Sequence, residues 1–258
     1  MVAIGDLHGD LASTLEAFRV GGLIDGDKHW IAGDAWAVQV GDQLDRGDDE
    51  VEVQDFLDAL AAEAEAAGGK LVVLNGNHEV MNVGGNFADV TAAGMADFGG
   101  ADGRKQAFAP GGAMARRLAA RPFYLVAANT LFVHGGITPP YTGKASGMQE
   151  EAQAWMRGEH FDRPGMLTDS SGPVWDRTFG RDENPGVCQA AEATMRAFGV
   201  HRLVVAHTVQ FDGINAICDG RVWRIDVGLS DYYASHGADP TQVLQIASGE
   251  ATVLYLRP

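Results

Sequence analysis

Five short apolar runs along this chain each end at a polar residue able to bind a metal ion. Val2-Ala3-Ile4 leads into Gly5-Asp6-Leu7-His8-Gly9, and Val38-Gln39-Val40 into Gly41-Asp42-Gln43-Leu44-Asp45-Arg46-Gly47. Leu71-Val72-Val73-Leu74 leads into Asn75-Gly76-Asn77-His78-Glu79. Leu131-Phe132-Val133 ends at His134-Gly135-Gly136, and Leu203-Val204-Val205-Ala206 ends at His207-Thr208. Strands that are continuously apolar are covered on both faces, and ligands of such sheets gather beyond the C-terminal strand ends. The pattern therefore predicts one sheet rim carrying Asp6, His8, Asp42, Asn77, His134 and His207.

Between these runs the period changes. Leu11, Leu15 and Phe18 fall on one helical face, and Gly21-Gly22 ends that helix. Residues 50 to 66 predict a long acidic helix with Val53, Phe56, Leu57 and Leu60 turned inward. Strand and helix alternate at a spacing of about 35 residues, the length of a parallel crossover. Residues 81–125 carry glycine pairs at 84-85, 99-100 and 111-112 and predict loops and short helices that cap the site. Residues 139–182 make a second long excursion, with Trp155, Phe161, Trp175 and Phe179 spread through it. A helix over 188–199 follows, and the segments 221–226 and 243–256 read as strands returning to the core in antiparallel fashion. The chain reads as one α/β domain spanning 1–258.

Charge narrows the partners. Lys and Arg number 19 against 35 Asp and Glu, a formal net charge of −16. That balance argues against nucleic acid, whose binding needs clustered cations, and against an anionic membrane surface. No run reaches the length of a membrane span. The first strand begins at residue 2 and leaves no room for a signal peptide within the chain, so a cytoplasmic location is expected, an upstream targeting segment being compatible with this start. Cys188 and Cys218 read as two free thiols in a reducing compartment, with a single redox-sensitive bridge as the alternative.

The candidate site has a definite chemistry. Asp6 and His8 stand two residues apart, which on a strand end turns both side chains to one face. Asp6, His8 and Asp42 are assigned to a first ion; Asp42, Asn77, His134 and His207 are assigned to a second, with Asp42 bridging. Nitrogen and oxygen donors without thiolate suit Mn, Fe or Zn. Two such ions can share a water, lower its pKa and clamp both ends of an in-line displacement at phosphorus. Arg46 is suited to a planar, bidentate pair with phosphate oxygens. His78, next to Asn77, is suited to protonate the leaving oxygen, with Asp45 holding its other ring nitrogen.

These motifs carry a resemblance. Gly5-Asp6-Leu7-His8-Gly9, the 41–47 segment with Asp45-Arg46-Gly47, Gly76-Asn77-His78-Glu79 and His134-Gly135-Gly136 resemble the PPP phosphoprotein phosphatases of the calcineurin-like metallophosphoesterases. Gly172-Pro173-Val174-Trp175-Asp176-Arg177 and Ile225-Asp226-Val227-Gly228-Leu229-Ser230 resemble the Shewanella-like branch. The resemblance implies a four-layer α-β-β-α fold, a mixed β-sandwich flanked by helices. It also implies two divalent metals, Mn favoured, and attack of a metal-bridging hydroxide on phospho-Tyr or phospho-Ser/Thr in a protein or peptide substrate. By the same resemblance Arg177 becomes a second phosphate clamp beside Arg46, Asn77 and His78. Ala206 stands where the family has Gly before its last ligand. The Ser-Ala-Pro-Asn-Tyr stretch of animal Ser/Thr enzymes is missing, so no regulatory subunit is inferred. A dinucleoside polyphosphate hydrolase of the same fold is the alternative activity, and a non-catalytic phosphoprotein-binding scaffold a third reading.

Overall fold

In the computed structural model, which describes residues 1–234 and 241–255, the apolar runs lie in two five-stranded sheets. The first contains β1 (Val2–Ile4), β2 (Trp36–Gln39), β3 (Lys70–Val73), β9 (Gln242–Ala247) and β10 (Glu250–Tyr255), in the order β10-β9-β1-β2-β3. The second contains β4 (Tyr124–Ala127), β5 (Thr130–Val133), β6 (Arg202–Val205), β7 (Asn215–Ile217) and β8 (Val222–Arg224), in the order β4-β5-β6-β8-β7. β1, β2 and β3 run parallel, as do β5, β6 and β8; β9 pairs antiparallel with β1 and β10, β4 with β5, and β7 with β8.

The period of two along each strand builds the layers. Ala3, Val38, Val72, Phe132 and Val204 meet in one buried cluster between the sheets. Their neighbours Val2, Ile4, Ala37, Leu71 and Val73 face the opposite way, toward the helices α1 (Leu11–Val20) and α2 (Glu50–Ala66). Leu131, Val133, Leu203 and Val205 likewise turn outward in the second sheet and pack with Val187, Ala191 and Met195. Each strand is thus apolar on both faces because it serves two cores. The result is the expected four-layer α-β-β-α arrangement around a mixed sandwich.

Residues 77–119 form four short helices, α3 (Asn77–Val83), α4 (Ala92–Ala96), α5 (Ala101–Phe108) and α6 (Ala113–Ala119). With α8 (Ala145–Met156) they close over a further buried cluster that includes Leu44, Phe108, Trp155 and Val174, whereas Tyr141 of α7 (Pro139–Thr142) packs on the outer cluster of the second sheet. Phe161, in the same excursion, is exposed. The next helix, α9 (Pro185–Phe198), starts three residues before the expected 188. The Asn184 side chain caps it by accepting from Gly186 and Val187 N–H, Pro185 takes the first turn, and Gly199 ends it at φ 65°.

Four expectations change, the first being the single sheet rim: the strands that end at donors lie in two sheets, β1, β2 and β3 in one and β5 and β6 in the other. Cys188 and Cys218 are not free thiols: they form a disulfide across a Cα–Cα distance of 5.3 Å, tying the first turn of α9 to the turn between β7 and β8. Sequence spacing carries no distance, so the pairing was open until the fold brought these turns together. β8 pairs parallel to β6 rather than antiparallel, with only β7 against it antiparallel. Asp6 and His8 lie beyond the end of β1, in a loop, so strand alternation is not what aligns them. Leu256, expected in the last strand, falls outside the described residues.

Candidate functional site

The loops after β1, β2, β3, β5 and β6 open on one side, because the strands within each group run parallel. Backbone hydrogen bonds lock the first two loops together: Leu7 and His8 N–H both donate to Asp42 O, at 2.9 and 3.0 Å. Glu79, buried at the start of α3, ties in the third by accepting from the N–H groups of Asp42, Gln43, Leu44 and Gly76. At Gly76 any Cβ would collide with the Asp42 carboxylate, so the close approach of these loops requires glycine. Backbone strain concentrates here. His8, Asp42, Asp45, Arg46 and His207 all adopt φ between 48° and 69°, a region that bulky side chains avoid and that clusters at functional sites.

The six expected metal donors converge, all of them buried. Asp42 Oδ2 is the hub, 3.2 Å from His134 Nε2, 3.8 Å from His78 Nε2 and 4.0 Å from His8 Nε2. Asp6 lies 3.8 Å from His8 and 3.8 Å from His134, and Asn77 Oδ1 sits 2.9 Å from His134 Nε2. His8 Nδ1 faces Leu44 O at 3.0 Å and His134 Nδ1 faces Val40 O at 2.8 Å. A proton on each Nδ1 satisfies those carbonyls and leaves the Nε2 lone pair aimed into the cluster, the arrangement a metal ligand needs.

Electrostatics tests whether cations fit. Burial, then the neighbouring charges of Asp226 and Asp42, push the Asp6 carboxyl well above its usual range. Burial likewise lifts Asp226 to about 6. The His8 imidazole is driven well down by burial and by His78, and His207 falls to about 2 through burial and His134. Among the described residues, His207 Nε2 is buried with no hydrogen-bond partner. Three buried carboxylates beside neutral imidazoles, one with an orphaned nitrogen, are a donor set that divalent cations would satisfy. Two overlapping groups have donor atoms within 4.8 Å of one another: His8, Asp42 and His78, and Asp42, His134 and His207. Asp42 belongs to both.

His78 stands apart. Burial lowers its imidazole, but the Asp42 charge and the hydrogen bond to Asp45 prevail and raise it to about 9. Its Nδ1 lies 2.6 Å from Asp45 Oδ2. Arg46 leaves the adjacent strained turn, contacts His8 Nε2 at 2.7 Å and the Tyr233 hydroxyl, and lies 5.3 Å from the centre of the Tyr233 ring. Arg177 donates to His207 O at 2.8 Å and to Thr208 Oγ1 at 3.1 Å. Asp42, Arg46, Asn77, His78, Arg177 and His207 all line one cavity of about 250 Å³. Its rim residues Val209 and Phe211 also border an open groove of about 810 Å³.

Several residues here were missed from sequence. Glu79 and Asp226 lie inside quoted motifs, and that position was the available signal; the structure buries both carboxylates. Tyr233 (in α10, Asp231–Ala234), Glu50, Asn82 and Arg104 carry no motif signal. His29, which stands in none of the motifs, pairs with Glu63 at the exposed surface, and His236 lies outside the described residues.

The sequence model of the calcineurin-like phosphoesterases matches residues 1–211. Shewanella-like protein phosphatase 2 of Arabidopsis thaliana is 34% identical over 278 residues, covering 89% of this chain and 71% of the plant protein. Shewanella-like protein phosphatase 1 of Plasmodium berghei is 28% identical, covering 95% and 71%. Among solved structures, the cold-active protein-tyrosine phosphatase of a psychrophilic Shewanella superposes with a TM-score of 0.83 at 23% identity, over 98% of this chain and 77% of that one. A protein serine/threonine phosphatase of Saccharomyces cerevisiae gives 0.64 at 14%, over 100% and 80%; at such identities both likenesses speak to fold. On these matches the chain belongs to the calcineurin-like phosphoesterase family, within its Shewanella-like protein phosphatase branch.

Proposed function

We propose that the protein hydrolyses phosphate monoesters on phosphorylated side chains of proteins, with Asp6, His8, Asp42, Asn77, His134 and His207 holding two divalent cations. The mixed nitrogen and oxygen donor set suits Mn, Fe or Zn, and Mn is taken as the working choice. When bound, the cations supply the Lewis acidity that activates water and draws charge from the phosphoryl oxygens. The chain's own residues do the rest. Arg46 and Arg177 both line the cavity and grip the non-reacting phosphoryl oxygens. Asn77 orients the phosphate between them. His78, its Nδ1 held by Asp45, presents Nε2 to the leaving oxygen and gives up its proton as the ester bond breaks.

The observation that carries this reading is the single cavity shared by Asp42, Arg46, Asn77, His78, Arg177 and His207. Phosphotyrosine ranks first among the side chains, because Phe211 and Tyr233 offer aromatic surface at that cavity, and the similar Shewanella protein is a protein-tyrosine phosphatase. A dinucleoside polyphosphate suits the adjoining groove less well, since Asp182, Glu183 and Asp212 line it beside Arg181 and Arg224. The test is a substrate panel of phosphotyrosine peptide, phosphothreonine peptide and diadenosine polyphosphate with Mn present. The expected order is phosphotyrosine, then phosphothreonine, with little turnover of the polyphosphate. Faster cleavage of the polyphosphate would reject the proposal.

A further inference from the structure

Arg104, on α5, is fully buried, although arginine is rarely buried without partners. Its guanidinium lies against three phenyl rings, with Phe108 nearest at 4.7 Å, and its polar edge points at the back of the Asp45–His78 pair. Nε and Nη2 both donate to Asn82 Oδ1, at 3.0 and 2.7 Å. Nη1 and Nη2 donate to the two oxygens of Glu50, and Nη1 also to Gly94 O at 2.9 Å. Nη2 lies 3.5 Å from Asp45 Oδ1.

We propose that Arg104 is a positioning residue for the proton donor His78, acting through Asn82, Glu50 and Asp45; the inference rests on the phosphatase reading above. Two donors on Asn82 Oδ1 fix which way that amide faces. Its Nδ2 must then point to Asp45 Oδ1, at 2.8 Å, and to His78 O, at 3.0 Å. With Oδ1 engaged, Asp45 turns Oδ2 to His78 Nδ1. Glu50, held by the guanidinium, accepts from Asp45 N–H and so pins the left-handed backbone from which Asp45 and Arg46 project. Arg104 thereby couples the short-helix segment over the site to the orientation of a ring it does not touch. A planar fork with donors in fixed directions can do this; an ammonium group cannot hold both partners in the same geometry.

The test is steady-state kinetics of the Mn-loaded enzyme on aryl phosphates of graded leaving-group strength, from dinitrophenyl to phenyl. Arg104→Lys should lower kcat about tenfold or more for phenyl phosphate and no more than about twofold for the dinitrophenyl ester, since a proton donor matters most to a poor leaving group. KM and bound metal should stay within about twofold of wild type. Asn82→Ser should show the same slope, which covers the case of an insoluble Arg104→Lys. The double variant with Asp45→Asn should be no slower than Asp45→Asn alone, because both act on one ring. A uniform loss across esters, a loss confined to KM, or additive effects in the double variant would overturn the positioning role. A wild-type enzyme inert on every monoester would instead overturn the phosphatase reading.

Discussion

Replacing Asp45 by Asn keeps the side chain's size and removes the charge facing His78 Nδ1 at 2.6 Å. The His78 imidazole stands at about 9 against its usual 6.5, although burial pushes it down. That difference is on the order of 3 kcal/mol in favour of the protonated ring, supplied by Asp42 and Asp45 against burial. Bound cations take up much of the Asp42 charge, so Asp45 becomes the main support for the imidazolium. Without it the ring should titrate lower, and the protonated fraction near neutral pH should fall. The donor must be protonated, so activity is present below its pKa and lost as pH rises through it. The assay is kcat for phenyl phosphate against pH with saturating Mn. The expected result is a basic limb that moves to lower pH in Asp45→Asn than in wild type, and a loss of about tenfold or more at about pH 7.5. A basic limb that stays in place, or an equal loss with a dinitrophenyl ester, would refute the assignment of His78 as the acid.

Two further expectations follow from other parts of the structure. Arg46→Lys loses the planar fork and should raise KM and weaken inhibition by inorganic phosphate about tenfold, with a smaller change in kcat; unchanged phosphate inhibition would remove Arg46 from the phosphate site. The Cys188–Cys218 disulfide spans a sequence separation of 30, and loop-closure entropy makes it worth roughly 3 to 4 kcal/mol. Denaturant unfolding with and without reductant measures this, and a difference below about 1 kcal/mol would contradict it.

The sheet core, and the gathering of polar side chains beyond its strand ends, were readable because both follow from local pattern. Apolar runs such as Leu71–Leu74 name their own strands, and each ends where its donor begins. What was not readable depends on which surfaces meet. Nothing near residue 104 signals that a helix outside every motif sends an arginine behind Asp45, since Arg104 and Glu50 are 54 residues apart in sequence. The disulfide failed for the same reason: two unremarkable cysteines become neighbours only when α9 packs beside the β7–β8 turn. Asp226 was quoted within a motif yet given no role, because its influence on Asp6 arises from shared burial. Alignment of Asp6 and His8 was expected from a strand and arises instead from a loop whose N–H groups are held by Asp42 O.

The central claim is that donors spread from Asp6 to His207 hold a pair of cations with Asp42 shared between them. Elemental analysis of the Mn-reconstituted protein, wild type beside Asp42→Asn, tests it most directly. About two equivalents per chain in the wild type, and no more than about one in the variant with turnover lost, is the result the account predicts. A fully active wild type without bound metal, or an Asp42→Asn protein that keeps both ions and its turnover, would contradict it.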